Sequence, residues 1–220
     1  MLVAGVDEAG RGCVIGPLVI AGVLVTEKNL HVLSQLGVKD SKLLSPKKRD
    51  ALAGEIARLA EKHYVVKLLP EEIDRAVESK RKLHKLNRLE AQTMAHIINA
   101  LKPDEAYVDA ADVLEERFKH HIQEGLTVKA KITSRHKADK IYAIVSAASI
   151  IAKVERDKEI AALKCAYGDF GSGYLSDKKT MCFLKQWLQT HAEYPNCVRK
   201  SWKPAKQVKN EKGTVQKKLI

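Results

Sequence analysis

The sequence has little with which to build a soft-metal site or a disulfide framework. Its four cysteines, Cys13, Cys165, Cys182 and Cys197, are scattered along 220 residues without a C-x-x-C pair. No two histidines stand at ligand spacing, so the pattern argues against zinc and against a cross-linked secreted scaffold. Repeats and low-complexity blocks are absent, which excludes solenoids and fibres. Long apolar runs are scarce too. The best candidate, Cys13 to Val25, follows the acids Asp7 and Glu8 rather than a basic segment, and it contains Gly16, Pro17 and Gly22 among β-branched residues. It reads as a strand and not as a signal sequence or membrane span, which places the expected chain in the cytoplasm.

What remains is a globular composition with an excess of positive charge. Apolar residues make up 45%, and 39 Lys or Arg stand against 27 Asp or Glu, for a net charge of +12. Such an excess suits a polyanionic partner, because each neutralised phosphate releases counterions. From Arg199 onward, however, eight basic residues face one acid, Glu211. More than half of the excess therefore sits in the tail, and a merely solvated basic tail is an equal reading of the charge.

Periodicity predicts an α/β domain with a mixed sheet. Leu2–Val6 and Leu18–Thr26 read as strands joined through a glycine-bearing turn. Ser45-Pro46 is a cap and first-turn proline, opening a helix to about Lys62. Tyr64–Leu69 is a strand closed by Pro70, and Leu83–Leu101 is a helix stopped by Pro103. Ala106–Val108 is a short strand delivering Asp109. Asp112 caps a helix ending at Gly125, and 126–132 alternates like a half-exposed strand. Helices follow over 141–163 and 178–190. After Pro195 periodicity fades, and a flexible basic end is expected.

Three carboxylate groups stand out. In Asp7-Glu8-Ala9-Gly10-Arg11-Gly12 the glycines can bend the chain, turning both acids toward one pocket, although an exposed acidic turn is the plainer reading. Asp109 ends a strand, the place where open α/β sheets keep their sites. Asp139, in His136-Lys137-Ala138-Asp139, precedes the long helix and has an alternative reading as its cap. Carboxylates converging from several strand ends repel one another unless divalent cations intervene. Hard oxygen donors select Mg²⁺ or Mn²⁺, and two such ions about 3.5–4 Å apart can activate water against a phosphodiester.

Six blocks then point to a family. AGVDEAGRGCVIGP (4–17), KDSKLLS (39–45), YVDAAD (107–112), HKAD (136–139), SAASIIAKVERD (146–157) and GDFGSGY (168–174) occur in order over almost the whole chain. Together they resemble the type 2 ribonucleases H, in particular archaeal ribonuclease HII. The resemblance implies a ribonuclease H-like mixed five-stranded sheet flanked by helices, with a small C-terminal helical lobe. It divides the chain into a catalytic domain (1–167), a substrate-binding lobe (168–205) and a basic tail (206–220).

The resemblance also implies roles. Asp7, Glu8, Asp109 and Asp139 match the metal-binding catalytic carboxylates. Gly10, Arg11 and Gly12 match the turn that reads a ribonucleotide 2′-OH, and Tyr174 the tyrosine that packs on the following deoxynucleotide sugar. Lys42, His136 and Lys137 fall in matched blocks as phosphate contacts. The implied activity is metal-dependent endonucleolytic hydrolysis of RNA in RNA–DNA hybrids, with cutting 5′ of single ribonucleotides embedded in duplex DNA. The products carry 5′-phosphate and 3′-hydroxyl ends, and the implied enzyme is a monomer. Cys13, Ala143, Leu175 and Lys178 depart from prolines common in the family, which alters loop geometry without removing a ligand or proton carrier. Gln216-Lys217-Lys218-Leu219-Ile220 begins like a sliding-clamp peptide but lacks its aromatic pair, so a solvated tail is the simpler reading. Two rival functions remain in view. A non-catalytic nucleic-acid binder would tolerate Asp7→Asn, and a DNA-only nuclease of the same fold would cut all-DNA duplex.

Overall fold

The computed structural model describes residues 1–38, 44–80 and 83–217, the side chains of 212–217 excepted. In chain order it forms β1 (Leu2–Ala9), β2 (Leu18–Thr26), a 3-10 turn at Glu27–Asn29, α1 (Leu30–Gln35), α2 (Pro46–Leu59), β3 (Lys62–Leu68), α3 (Pro70–Glu78), α4 (Lys85–Leu101), β4 (Glu105–Asp109), α5 (Glu115–Gln123), β5 (Lys131–Arg135), α6 (Ala138–Ile141), α7 (Ala143–Tyr167), α8 (Lys178–Thr190) and α9 (Lys203–Lys217). The sheet order is β3-β2-β1-β4-β5. β1 runs antiparallel to β2 and parallel to β4, and β4 runs parallel to β5. The mixed five-stranded sheet flanked by helices expected from the sequence is therefore present. Among the described residues no helix is long and apolar enough to cross a membrane.

Two compact units emerge. The first comprises Met1–Ala9, Val19–Lys67 and Leu83–Glu155, and the second Gly10–Leu18, Leu68–Lys82 and Arg156–Ile220, in each case for the residues described. This grouping does not follow a linear boundary at residue 168, because Val14 and Ile15 belong to the apolar core of the second unit, together with Phe170, Leu184 and Val198.

In the first unit β1 and β2 are buried on both faces of the sheet. That is why β1 and β2 read as nearly continuous apolar runs rather than alternating ones. Val3, Val19, Ala21, Val23 and Val25 face α2 and α7 through Ile56, Val145, Ala148 and Ala152. A Cβ on Gly5 would stand 2.2 Å from the Ile144 carbonyl oxygen, so β1 and the start of α7 approach as closely as a glycine permits. On the opposite face Ile97 and Leu101 of α4 lie directly on Gly22.

The second unit is helical. α8 starts at Asp177, whose carboxylate accepts the Lys179 N–H at 2.9 Å. It buries Thr180, Leu184 and Leu188, one residue per turn. Asp74, in α3, accepts the backbone N–H groups of Lys200 and Ser201 at 2.8 and 2.9 Å, fixing the chain ahead of α9.

Several sequence expectations are corrected. The flexible basic end expected after Pro195 is instead structured, because Ala205 and Val208, three residues apart, are buried in the second core and α9 forms around them. Asp112 is not the cap of α5. That helix begins at Glu115 with Leu114 in the cap position, while the Asp112 carboxylate takes the Arg117 guanidinium and the Leu114 N–H. The strand expected over 126–132 lies at Lys131–Arg135. α3 was not expected, although Pro70 in its first turn and Glu72 bonding back to the Leu69 N–H at 2.8 Å are ordinary start signals.

Candidate active site

The acidic site of the first unit is assembled by strand register. β1 and β4 pair from Val3↔Glu105 to Val6↔Val108. The next residues in that register are Asp7 and Asp109, so two carboxylates stand level on neighbouring parallel strands. β5 contributes the third group indirectly. After Arg135, which pairs with Asp109, Lys137 adopts a left-handed conformation (φ 56°) and turns the chain back. The next N–H, that of Ala138, donates to Asp109 Oδ1 at 2.7 Å. That bond holds the opening turn of α6, which carries the buried Asp139.

Asp7 bears the electrostatic consequence. It is 4% exposed, and its carboxyl is raised from the ordinary 3.8 to about 7. Burial is the main cause, followed by the negative charge of Asp109, with Asp139 adding to it. A hydrogen bond from Ser149 and the Glu8 N–H, which donates to Asp7 Oδ1 at 2.7 Å, oppose the rise. Ser149 in turn accepts Lys153 Nζ at 3.0 Å, so a short polar chain along α7 reaches the acid.

β1 runs on through both acids, past the Leu2–Val6 expected from the sequence. The chain does not bend at the two acids, because the β1–β2 ladder continues without interruption to Ala9↔Val19. Asp7 faces α7, where Ser149 bonds it. The structure thus brings together Asp7, Asp109 and Asp139, with Glu8 joined through its backbone. These are hard oxygen donors, and the mutual repulsion acting on Asp7 is what a divalent cation relieves, so the donor set fits Mg²⁺ or Mn²⁺. Among the described residues the side chains do not themselves converge in metal-ligand geometry. His136 and Lys137 are exposed beside Asp139, the His136 N–H donating to Glu115 at 2.7 Å. Lys42 lies outside the described residues.

The second unit holds the glycine turn and Tyr174. Gly10 has φ 86°, and a Cβ there would stand 2.4 Å from Arg156 Nε, so no other residue fits. Gly12 is exposed, with open space where a Cβ would go. The turn is held by Arg199, which is fully buried and donates to the carbonyls of Gly10 at 2.7 Å, Arg11 at 2.8 Å and Gly16 at 3.1 Å. Tyr174 is 38% exposed and pairs with Cys13 in an isolated antiparallel bridge. Sequence reasoning missed Arg199, which lay in a run taken for a tail. It also missed the parts of Ser149 and Arg156, whose only signal was the block 146–157.

A mixed sheet of this order, with aspartates at the ends of adjacent parallel strands, defines a ribonuclease H-like protein. The comparisons narrow the class. The family model for ribonuclease HII matches residues 4–205. The ribonuclease HII of Pyrococcus abyssi is 46% identical over 213 residues, 96% of this chain and 92% of the relative. The crystal structure of ribonuclease H2 from Pyrococcus horikoshii superposes with a TM-score of 0.88 at 45% identity, covering 96% of this chain and 98% of that one. The PCNA:RNase HII complex from Archaeoglobus fulgidus contributes a chain at TM-score 0.83 and 46% identity, with 92% and 96% covered. The chain belongs to the ribonuclease HII family and is a ribonuclease H, a hydrolase acting on RNA–DNA hybrids.

Proposed function

We propose that this ribonuclease H also cuts 5′ of single ribonucleotides embedded in duplex DNA, leaving 5′-phosphate and 3′-hydroxyl ends, and that two Mg²⁺ or Mn²⁺ ions serve it. The observation that carries the metal reading is the buried Asp7, raised to about 7 beside Asp109 and Asp139. Asp7, Glu8, Asp109 and Asp139 would hold the ions. Bound divalent cations supply charge neutralisation and polarise both a water and the scissile phosphate. The residues of the chain do the rest. Ser149 holds the Asp7 carboxylate in orientation, and the Ala138 N–H does the same for Asp109.

Reading of the ribonucleotide falls to Gly10, Arg11 and Gly12 through the 2′-OH, and reading of the junction to Tyr174 packed on the deoxynucleotide sugar. His136 and Lys137, exposed and beside the acids, contact backbone phosphate, as does Lys42. The helical lobe from residue 168 binds substrate, and the site of action is cytoplasmic. The Archaeoglobus fulgidus relative has been solved bound to PCNA. That precedent supports a sliding-clamp contact through Gln216 and the residues after it.

The test uses a labelled DNA duplex with one ribonucleotide, incubated with Mg²⁺, with EDTA, and with Asp139→Asn. One cut 5′ of the ribonucleotide, lost in both controls and on the order of a thousandfold slower in the variant, is expected. Cleavage only within runs of ribonucleotides would discard the roles of Arg11 and Tyr174. Cleavage undiminished in EDTA would discard the metal reading.

A further inference from the structure

Cys13 occupies a position in the second unit that the activity alone does not explain. It is fully buried. Its N–H closes the glycine turn onto the Gly10 carbonyl at 3.3 Å, and the two residues that follow receive the Gly173 carbonyl, Val14 N–H at 2.8 Å and Ile15 N–H at 3.2 Å. The bridge between Cys13 and Tyr174 sets their side chains next to each other. There the sulfur accepts twice, from Arg156 Nη2 at 2.8 Å and from the Tyr174 hydroxyl.

Arg156 closes the arrangement. The residue is 6% exposed. It lies over the Tyr174 ring, 5.0 Å from the centroid, and donates to the Ser172 carbonyl at 3.2 Å. Its Nε is buried against Gly10, where no side chain could fit. One cation thus touches the glycine turn, the thiol and the tyrosine. Burial and the thiol push the phenol up to about 12, so the hydroxyl stays protonated and keeps donating at any working pH. The remaining exposed surface of Tyr174 is free for a ligand, while its far end is tied down.

We propose that Cys13, backed by Arg156, is a positioning residue that fixes the Tyr174 hydroxyl and thereby sets how strongly the enzyme prefers a ribonucleotide–deoxyribonucleotide junction over an uninterrupted ribonucleotide run. This rests on the junction reading given to Tyr174. The mechanism is preorganisation: a ring held at both its face and its hydroxyl meets the sugar in one orientation. Without the sulfur the hydroxyl and the guanidinium lose their shared acceptor, and the ring samples several orientations.

The quantity to measure is the ratio of kcat/KM on a single-ribonucleotide duplex to kcat/KM on an RNA run paired with DNA. It is compared across wild type, Cys13→Ala, Cys13→Ser, Tyr174→Phe, Tyr174→Ala and the Cys13→Ala/Tyr174→Phe double variant. Cys13→Ala lowers the ratio about fivefold through kcat on the junction substrate, and Cys13→Ser, which keeps an acceptor, recovers at least half of that. Tyr174→Phe lowers it by a similar factor, and the double variant falls no further, because both changes break one contact. Additive losses in the double variant, or a ratio unmoved by Cys13→Ala, would overturn the inference while leaving Tyr174 its role. A ratio unmoved by Tyr174→Ala would remove the junction reading and this inference with it. Thermal melting of every variant separates loss of fold from loss of alignment, and Cys13→Ser carries the test if Cys13→Ala melts early.

Discussion

The two units bury charge of opposite sign and treat it in opposite ways. In the first, Asp7 is buried beside two more acids, and the hydrogen bonds from Ser149 and a backbone N–H moderate the rise of its carboxyl without cancelling it. In the second, Arg156 and Arg199 are buried and settled on sulfur, aromatic faces and backbone carbonyls. Uncompensated buried charge is costly, and it persists where a ligand completes the balance. Buried charge that is satisfied by backbone acceptors serves instead to fix the shape of a loop. The acidic cluster is therefore a site defined by what it binds, and the glycine turn is defined by what holds it.

The largest effect expected from this contrast comes from breaking the satisfied side. Arg199→Met removes a fully buried guanidinium's donations to three backbone carbonyls of the turn, of which Gly10 keeps the Cys13 N–H. A loss of about 3–5 kcal/mol in urea unfolding at neutral pH is expected. Arg199→Lys recovers only part, since one ammonium cannot reproduce a planar fork reaching Gly10, Arg11 and Gly16. A loss under about 1 kcal/mol for Arg199→Met would show that the turn is held by its glycine geometry alone.

A buried acid with a half-buried partner in the first unit sharpens the comparison, because there an acid is satisfied. Asp112 has a fully buried carboxylate, bound by Arg117 and the Leu114 N–H, with His84 Nδ1 at 3.9 Å. The Arg117 hydrogen bond, aided by Asn87 and the Leu114 N–H, holds its carboxyl well below the ordinary 3.8. A depressed carboxylate pKa contributes stability that is fully present above the unfolded value and is lost as pH falls through the folded one. Asp112→Asn therefore costs about 3 kcal/mol at pH 7, and the gap from wild type narrows steadily below about pH 4. Urea titrations at pH 7 and pH 3 read both numbers. An equal gap at both pH values would mean that shape, and not charge, is what Asp112 provides.

These residues also show where sequence was informative. β2 could be bounded at Leu18 and Thr26 because a strand buried on both faces is apolar throughout, and α8 because Asp177 caps it and Leu184 and Leu188 recur by the turn. Asp109 was legible as the acid ending a short apolar strand. What failed did so for physical reasons. An aspartate ahead of a helix suits a cap and a buried ion pair equally well, and only the position of Arg117 decides between them. The end of β1 depends on where the ladder to β2 stops, which no local pattern at Asp7-Glu8-Ala9 reveals. Arg199 and α9 were hidden because a basic stretch with two buried apolar residues, Ala205 and Val208, looks like tail until the core that receives them is known. Composition placed charge in that stretch without showing that its first arginine faces inward.

The smallest effect tests the unsatisfied side directly, and it does so through stability instead of turnover. If the acids of the first unit await a cation, Mg²⁺ binds the folded chain and not the unfolded one, and thermal stability rises with the logarithm of its concentration. At a hundredfold excess over the dissociation constant the gain is about 2.7 kcal/mol. Asp7→Asn removes the most strongly repelled charge, so its metal-free form melts higher than the metal-free wild type, and Mg²⁺ adds little to it. The two curves then approach each other as Mg²⁺ rises in the wild type. Asp112→Asn, remote in kind from the cluster because its acid is already paired, keeps the full Mg²⁺ increment on a lowered baseline. Parallel increments in wild type and Asp7→Asn would instead place the bound cation elsewhere, and the raised carboxyl of Asp7 would then be a cost of burial with no ligand to offset it.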